Sequence, residues 1–83
     1  MDFKFSNHAL TRLKRRNISA EKVLQVINNP DSISIQDKTI TVYSKLVREE
    51  SKTYLYRVFV NQLKNPYLVI TAYKTSKIKK YGN

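Results

Sequence analysis

The feature that most constrains this chain is a change in the spacing of its apolar residues at Pro30. Before Pro30, apolar residues recur three and four positions apart, as in the stripe formed by Ala9, Leu10 and Leu13, which is the period of an amphipathic helix. After Pro30, apolar and polar residues alternate, which is the period of a strand with one buried face. The sequence therefore predicts helices followed by strands, an order typical of the α+β class.

Polar residues mark the ends of the two predicted helices. Ser6 is the expected N-cap of a helix over about 7–16, and Ser19 is the expected N-cap of a second helix over about 20–28, since serine accepts a hydrogen bond from the first turn. Asn17 fits the end of the first helix because asparagine tolerates the left-handed conformation.

Four runs rich in β-branched and aromatic residues predict a four-stranded antiparallel meander, with both helices packed on one of its faces. The runs are 33–35, 40–46, 53–60 and 67–73. Phe3 and Phe5 are left open as a short strand or a hydrophobic staple. Strict alternation assigns Tyr56, Val58, Val60, Leu68, Ile70 and Ala72 to the helix-covered face of the last two strands. It assigns Leu55, Arg57, Phe59, Val69, Thr71 and Tyr73 to the open face. The length allows one domain, spanning residues 1–83.

The charge of the chain indicates its partners. Sixteen Lys and Arg against six Asp and Glu give a net charge of +10, and nine of the basic but only two of the acidic residues follow position 41. Nucleic acid is the commonest polyanionic partner of a small basic domain. A lysine-rich surface that serves only solubility is the alternative.

Several classes of chemistry are excluded by what the sequence lacks. Without cysteine there is no disulfide scaffold, zinc ribbon or thiol nucleophile, and one glycine cannot form a glycine-rich phosphate loop. The six carboxylates are scattered, whereas a two-metal phosphodiesterase needs several that converge. Any catalysis is therefore expected to need no metal and no cofactor. The chain also lacks a signal-peptide core and an apolar run of membrane-helix length, so a cytoplasmic protein without a membrane partner is expected.

Four residues are candidates for catalysis on RNA. Arg57, in the middle of a predicted strand, either clamps a phosphate or covers apolar surface with its stem. Tyr73 either stacks on a base or helps to activate a ribose 2′-hydroxyl, with a half-buried strand aromatic as the structural alternative. His8 and Arg12 share one helical face, either as a proton carrier beside a phosphate-binding arginine or as a surface stack.

Further residues are candidates for RNA binding alone. Arg16 continues the helical stripe of His8 and Arg12, and Tyr43 is a weaker aromatic candidate. The lysines of the tail are expected to attract phosphate without sequence preference. They are Lys77, Lys79 and Lys80.

Two stretches of the chain resemble known bacterial proteins. The first is His8-Ala9-x-x-Arg12 followed by Arg16-Asn17-Ile18-Ser19 and by Asn29-Pro30. It resembles a widespread bacterial family with the pattern HAxxRxxxRxIS…NP, which is similar to the RelE/ParE and BrnT toxins of toxin–antitoxin systems. The second is Tyr56-Arg57-Val58-Phe59-Val60 together with the segment from Val69 to Tyr81. It is similar to the YRVxY strand, final strand and basic tail of RelE-like toxins.

The resemblance implies a RelE-like fold and a metal-independent endoribonuclease that cleaves RNA by attack of the 2′-hydroxyl. Arg57 would then stabilise the transition state, and Tyr73 or Lys74 would occupy the position of the family's basic residue or histidine on the last strand. Tyr81 falls near the family's C-terminal tyrosine. Tyr81 and Lys74 are the last two of the predicted RNA-binding residues. The family's usual His-Arg or Lys-Arg pair is Tyr73-Lys74 in this chain.

The implied partners are RNA, either mRNA or tRNA and with ribosome association left open, and a cognate antitoxin protein. A homodimer is left open as well. Two alternative functions are compatible with the sequence. One is a non-catalytic nucleic-acid-binding module, and the other is a ParE-like toxin that acts on a protein target.

Overall fold

A computed structural model describes the backbone of residues 3–81 and the side chains of residues 3–79. Two helices precede most of a five-stranded sheet, which confirms the α+β class. The predicted roles of the Lys80 and Tyr81 side chains lie outside the described residues. The elements are β1 (Phe3–Phe5), α1 (Asn7–Arg15), α2 (Ala20–Asn28), β2 (Ser32–Ile35), β3 (Ile40–Glu49), β4 (Lys52–Asn61), β5 (Tyr67–Thr75) and a 3₁₀ turn (Ile78–Tyr81).

Both predicted helix caps are confirmed. The Ser6 hydroxyl oxygen accepts a hydrogen bond from the Ala9 amide at 2.9 Å, and that of Ser19 accepts one from the Lys22 amide at 3.1 Å. Each serine thereby satisfies one of the four amides that a helix start leaves without an intrahelical partner.

A Schellman motif closes α1 and sets the turn to α2. Asn17 has a φ of 58°, as its predicted left-handed conformation requires. The Ile18 amide donates to the Leu13 carbonyl at 2.9 Å, and the Asn17 amide donates to the Lys14 carbonyl at 3.2 Å. Ile18 and Leu13 are both buried in the core, so the turn is held by packing as well as by hydrogen bonds.

The sheet has the strand order β1-β5-β4-β3-β2. Strands β2 to β5 form the predicted antiparallel meander, but β1 pairs with β5 in parallel, so the sheet has five strands and is mixed. The prediction of four strands, all antiparallel, was wrong in this respect. A three-residue segment shows too few alternations to reveal a strand, and its pairing depends on the helices bringing it beside β5.

A β-bulge interrupts the pairing of the last two strands. Phe59 pairs with Thr71 while Val60 pairs with Val69, which leaves Ile70 as the extra residue on β5. Beyond the bulge, Thr71 and Tyr73 share the open face with Arg57, as predicted.

For the residues of β5 that precede the bulge, the predicted assignment to the two faces of the sheet was wrong. Val69 is fully buried in the core, whereas Leu68 and Ile70 are only half-buried. Strict alternation cannot anticipate an inserted residue, and every assignment on the far side of the insertion changes face. The assignments on β4 are confirmed, since Tyr56, Val58 and Val60 are buried beneath the helices.

The main core lies between the two helices and one face of the sheet. Its buried members are Ala9, Leu13, Ile18, Val23, Val26, Ile27, Tyr56, Val58, Val60, Val69 and Ala72. The edge strand β2, by contrast, leaves Ile33 57% and Ile35 72% exposed. Within residues 3–81, the helices are too short and too polar to cross a membrane.

Candidate nucleic-acid interface

Tyr73 and Lys74 are neighbours in sequence but lie on opposite faces of β5. Tyr73 pairs with Arg57 on the open face, and Lys74 pairs with Tyr56 on the helix-covered face. Strand β1 pairs only with Tyr67–Val69, so the last residues of β5 lie beyond β1 at the edge of the sheet. Side chains from both faces reach this edge.

A basic groove of about 600 Å³ surrounds this end of β5. Four cationic side chains line it. One comes from the end of α1, one from the start of β4, one from the end of β5 and one from the tail. Among the described residues, no carboxylate lines it. We call it the β5 groove, and its lining residues are Arg16, Lys52, Tyr54, Tyr73, Lys74, Thr75, Ser76 and Lys77. Four of the predicted site residues, Arg16, Tyr73, Lys74 and Lys77, therefore meet in one place.

Arg16 joins the end of α1 to β5. Its Nη1 donates to the Ala72 carbonyl at 2.8 Å and to the Thr71 hydroxyl at 3.2 Å. The side chain nevertheless remains exposed. Arg16 thus satisfies a carbonyl at the strand edge while its charge stays accessible to a ligand in the groove.

Arg57 supports Tyr73 on the open face. Its Nη1 donates to the Tyr73 hydroxyl oxygen at 2.9 Å. The guanidinium carbon lies 5.5 Å from the ring centroid of Phe59 and 6.0 Å from that of Tyr73, within the range of a cation–π interaction. Both Arg57 and Tyr73 are half-buried, so their geometry is set by packing.

On the helix-covered face, Lys74 belongs to a network centred on Glu49. Lys74 Nζ lies 3.0 Å from Glu49 Oε1, and the Tyr56 hydroxyl donates to Glu49 Oε2 at 2.6 Å. Lys74 Nζ also lies 4.7 Å from the ring centroid of Tyr54. Glu49 was not among the predicted site residues, because it lies beyond the predicted strand at 40–46. Strand β3 continues to Glu49, and counting alternate positions from Tyr43 would have placed Glu49 on this face.

The network shifts the titration of its members. The hydrogen bond from Tyr56, followed by that from Lys74, lowers the pKa of Glu49. Burial, followed by the bond to Glu49, raises the pKa of Tyr56 to about 12. The bond to Glu49 raises the pKa of Lys74. Lys74 is therefore a cation at neutral pH.

A second, smaller cleft of about 320 Å³ lies between the α1–α2 turn and the sheet. We call it the turn cleft. It contains three lysines and one carboxylate, and Lys74 lines both this cleft and the β5 groove. Its lining residues are Leu13, Lys14, Asn17, Ile18, Ser19, Lys22, Glu49, Tyr56 and Lys74.

The remaining predicted site residues lie elsewhere. His8 is exposed and Arg12 half-buried on α1, and neither lines the β5 groove or the turn cleft. Tyr43 lies on the helix-covered face, 6.2 Å from the ring of Phe3, and burial followed by the nearby Tyr67 raises its pKa. Lys79 is exposed in the 3₁₀ turn.

Within the described part of the chain, no three His, Asp or Glu side chains lie close enough together to bind one metal ion.

Comparison with known proteins gives one match. A family model described as a domain of unknown function, DUF4258, matches residues 5–74. The matched span includes both helices, the meander and the residues Arg16, Arg57, Tyr73 and Lys74. No curated protein and no solved structure matches the chain.

Proposed function

The chain belongs to the DUF4258 family, and from its geometry we propose that it binds single-stranded RNA in the β5 groove and cleaves it without a metal. The observation that carries this proposal is the convergence of Arg16, Tyr73, Lys74 and Lys77 around one groove, with Arg57 holding Tyr73 from behind. The resemblance to RelE-like toxins supports the same reading.

The lining of the groove suits a flexible RNA strand. Its cations neutralise phosphates, which supplies most of the affinity of a nucleic-acid-binding protein. Its two tyrosines, Tyr54 and Tyr73, offer faces on which bases can stack. The groove runs along the edge of a strand and is not a closed pocket, so an extended RNA strand can pass along it.

In the proposed reaction, the ribose 2′-hydroxyl gives its proton to water and its oxygen attacks the adjacent phosphorus. The bond from phosphorus to the 5′-oxygen breaks, and that oxygen takes up a proton from water. The products are a 2′,3′-cyclic phosphate and a 5′-hydroxyl. Lys74, which lines the groove, stabilises the negative charge that develops on the phosphoryl oxygens, and Arg57 acts from the open face by holding the hydroxyl of Tyr73. Tyr73, held by Arg57, contacts the 2′-hydroxyl or its base.

In this proposal, His8 and Arg12 attract the RNA on its way to the groove. They are spaced four residues apart and in line with Arg16, so their side chains follow one stripe of the helix. Such a stripe can guide phosphates toward the end of β5.

The first prediction tests Arg57. In the presence of EDTA, the wild-type protein should cleave a labelled RNA, and Arg57→Ala should lower the rate by about 100-fold, because a displaced Tyr73 no longer meets the 2′-hydroxyl in the productive geometry. Arg57→Lys should restore part of the rate, because lysine keeps the charge but lacks the planar fork. An RNA with a 2′-deoxy sugar at the cleavage site should resist cleavage.

The control for this experiment is Lys38→Ala, which removes one charge from an exposed turn. Thermal melts of each variant separate loss of chemistry from loss of fold. A folded, fully active Arg57→Ala protein contradicts the mechanism. Binding without any cleavage by the wild type points instead to a non-catalytic RNA-binding module.

The cellular role that we propose is that of a toxin restrained by a cognate antitoxin. Expression of the wild-type chain alone should then arrest growth, and the Arg57→Ala variant should not. Growth arrest by both proteins would favour the ParE-like alternative, in which the target is a protein.

A further inference from the structure

We propose that the turn cleft is a second phosphate subsite, which continues the path of the RNA strand from the β5 groove past Lys74. This inference rests on the proposed RNA binding and adds the direction that the strand takes. The RNA would cross the end of β5 from its open face to its helix-covered face.

The geometry links the two cavities through one side chain. Lys74 lines both the β5 groove and the turn cleft. A strand whose phosphate contacts Lys74 in the groove would therefore reach the turn cleft with a phosphate that follows. The cleft, at about 320 Å³, is at the small end of ligand sites, so it suits one phosphate and its sugar rather than a run of bases.

The charge of the cleft favours an anion. Three lysines line it, Lys14, Lys22 and Lys74, against the single carboxylate of Glu49. Both oxygens of that carboxylate already accept hydrogen bonds, one from Lys74 and one from Tyr56. The negative charge is therefore held against the wall formed by the sheet, while Lys14 and Lys22 belong to the opposite, helical wall.

The helical wall is rigid. The Schellman motif fixes the backbone between Leu13 and Ile18, and the Ser19 cap fixes the first turn of α2 at Lys22. Lysines on a fixed backbone lose less conformational freedom when a phosphate arrives than lysines on a mobile backbone do. The cleft therefore offers an ordered site.

The test measures binding and its salt dependence for RNA oligonucleotides of increasing length. The variant is Lys14→Ala/Lys22→Ala, and the matched control is Lys38→Ala/Lys64→Ala, which removes the same charge from exposed turns outside both cavities. For long RNA, the cleft variant should lower the slope of log affinity against log salt by about 0.7, which is the contribution of the one single-strand phosphate contact that the cleft provides. For the shortest RNA, which occupies only the β5 groove, the two double variants should have equal affinities. Inorganic phosphate alone should compete poorly with long RNA.

Each outcome has a definite meaning. A length-dependent loss confined to the cleft variant supports the subsite. Equal losses in the two double variants overturn it, because the lysines then act only through the overall charge. If the wild type and the cleft variant bind long RNA equally well, the proposed subsite is overturned but the proposed function stands. Absence of RNA binding by the wild type overturns the proposed function itself.

Discussion

Glu49 shows how a single residue sets the electrostatics of the proposed site. Its carboxylate accepts hydrogen bonds from Tyr56 and Lys74 at the point where the two cavities meet. It fixes the ammonium of Lys74 near the ring of Tyr54 and so determines where the cation lies. The residue is therefore a positioning residue in the proposed site.

The lowered pKa of Glu49 predicts the acid sensitivity of the fold. In the unfolded chain the carboxyl titrates near its ordinary value of 4.5, and in the folded protein it titrates lower. The ionised form therefore stabilises the fold above about pH 4.5, and this contribution is lost as the pH falls through the lowered pKa. Glu49→Gln should melt at a lower temperature than the wild type near neutral pH, and the difference should shrink in acid.

Thermal melts across this pH range measure the effect. Glu50→Gln is the matched control, because it removes the same charge from the exposed neighbouring position. If Glu49→Gln and the wild type lose stability in parallel as the pH falls, the Glu49 network does not contribute to folding.

At the scale of elements, local chemistry was predictable and long-range pairing was not. Ser6, Ser19 and Asn17 were identified correctly because a cap or a left-handed turn depends on the residue itself and its nearest neighbours. The parallel pairing of β1 and the extra residue Ile70 depend on contacts between distant segments, which leave no mark in the alternation of one strand.

The same distinction holds for the candidate site. Arg57 and Tyr73 were placed together correctly, because that part of β5 follows the predicted alternation. Glu49 was missed because the hairpin turn is shorter than the sequence suggested. Tyr43, a predicted RNA-binding residue, packs near Phe3 on the helix-covered face, since its strand position and not its residue type decides which face it joins.

The turn between the helices gives a prediction about stability. Asn17 has a φ of 58°, a conformation that disfavours residues with a Cβ, although asparagine tolerates it better than most. Asn17→Ala should lower the free energy of unfolding by about 1 kcal/mol, while Asn17→Gly should equal or exceed the wild type.

Chemical denaturation measures both Asn17 variants. Asn28→Ala serves as the control, because Asn28 is an exposed asparagine within helix α2. Equal destabilisation by Ala and Gly at position 17 would mean that the asparagine side chain, rather than its backbone conformation, stabilises the turn.

At the scale of the whole molecule, a net charge of +10 is combined with an unprotected sheet edge. The edge strand β2 carries no charged residue and exposes Ile33 and Ile35. An exposed apolar edge is a site where sheets of different molecules can pair. Repulsion between like-charged molecules opposes this pairing, but salt screens it, with a Debye length of about 8 Å at physiological ionic strength.

The charge balance predicts that self-association rises with salt. Ile35→Lys should reduce light scattering at high salt, and it should change the free energy of unfolding by no more than about 0.5 kcal/mol because the side chain is 72% exposed. Leu63→Lys, at an exposed apolar residue away from β2, is the control. Equal scattering by Ile35→Lys and the wild type would show that β2 is not the contact.

The bulge on β5 determines where this domain can change length. With Ile70 deleted, Val69 and Thr71 would still face Val60 and Phe59, so Tyr73 and Lys74 would keep their present sides. Deletion of one residue from the middle of β4 would instead place every following side chain on the wrong face of the sheet, because the pairing of β4 with β3 contains no extra residue. A one-residue deletion at Ile70 would thus leave the residues of the groove and the core beneath them on their present faces.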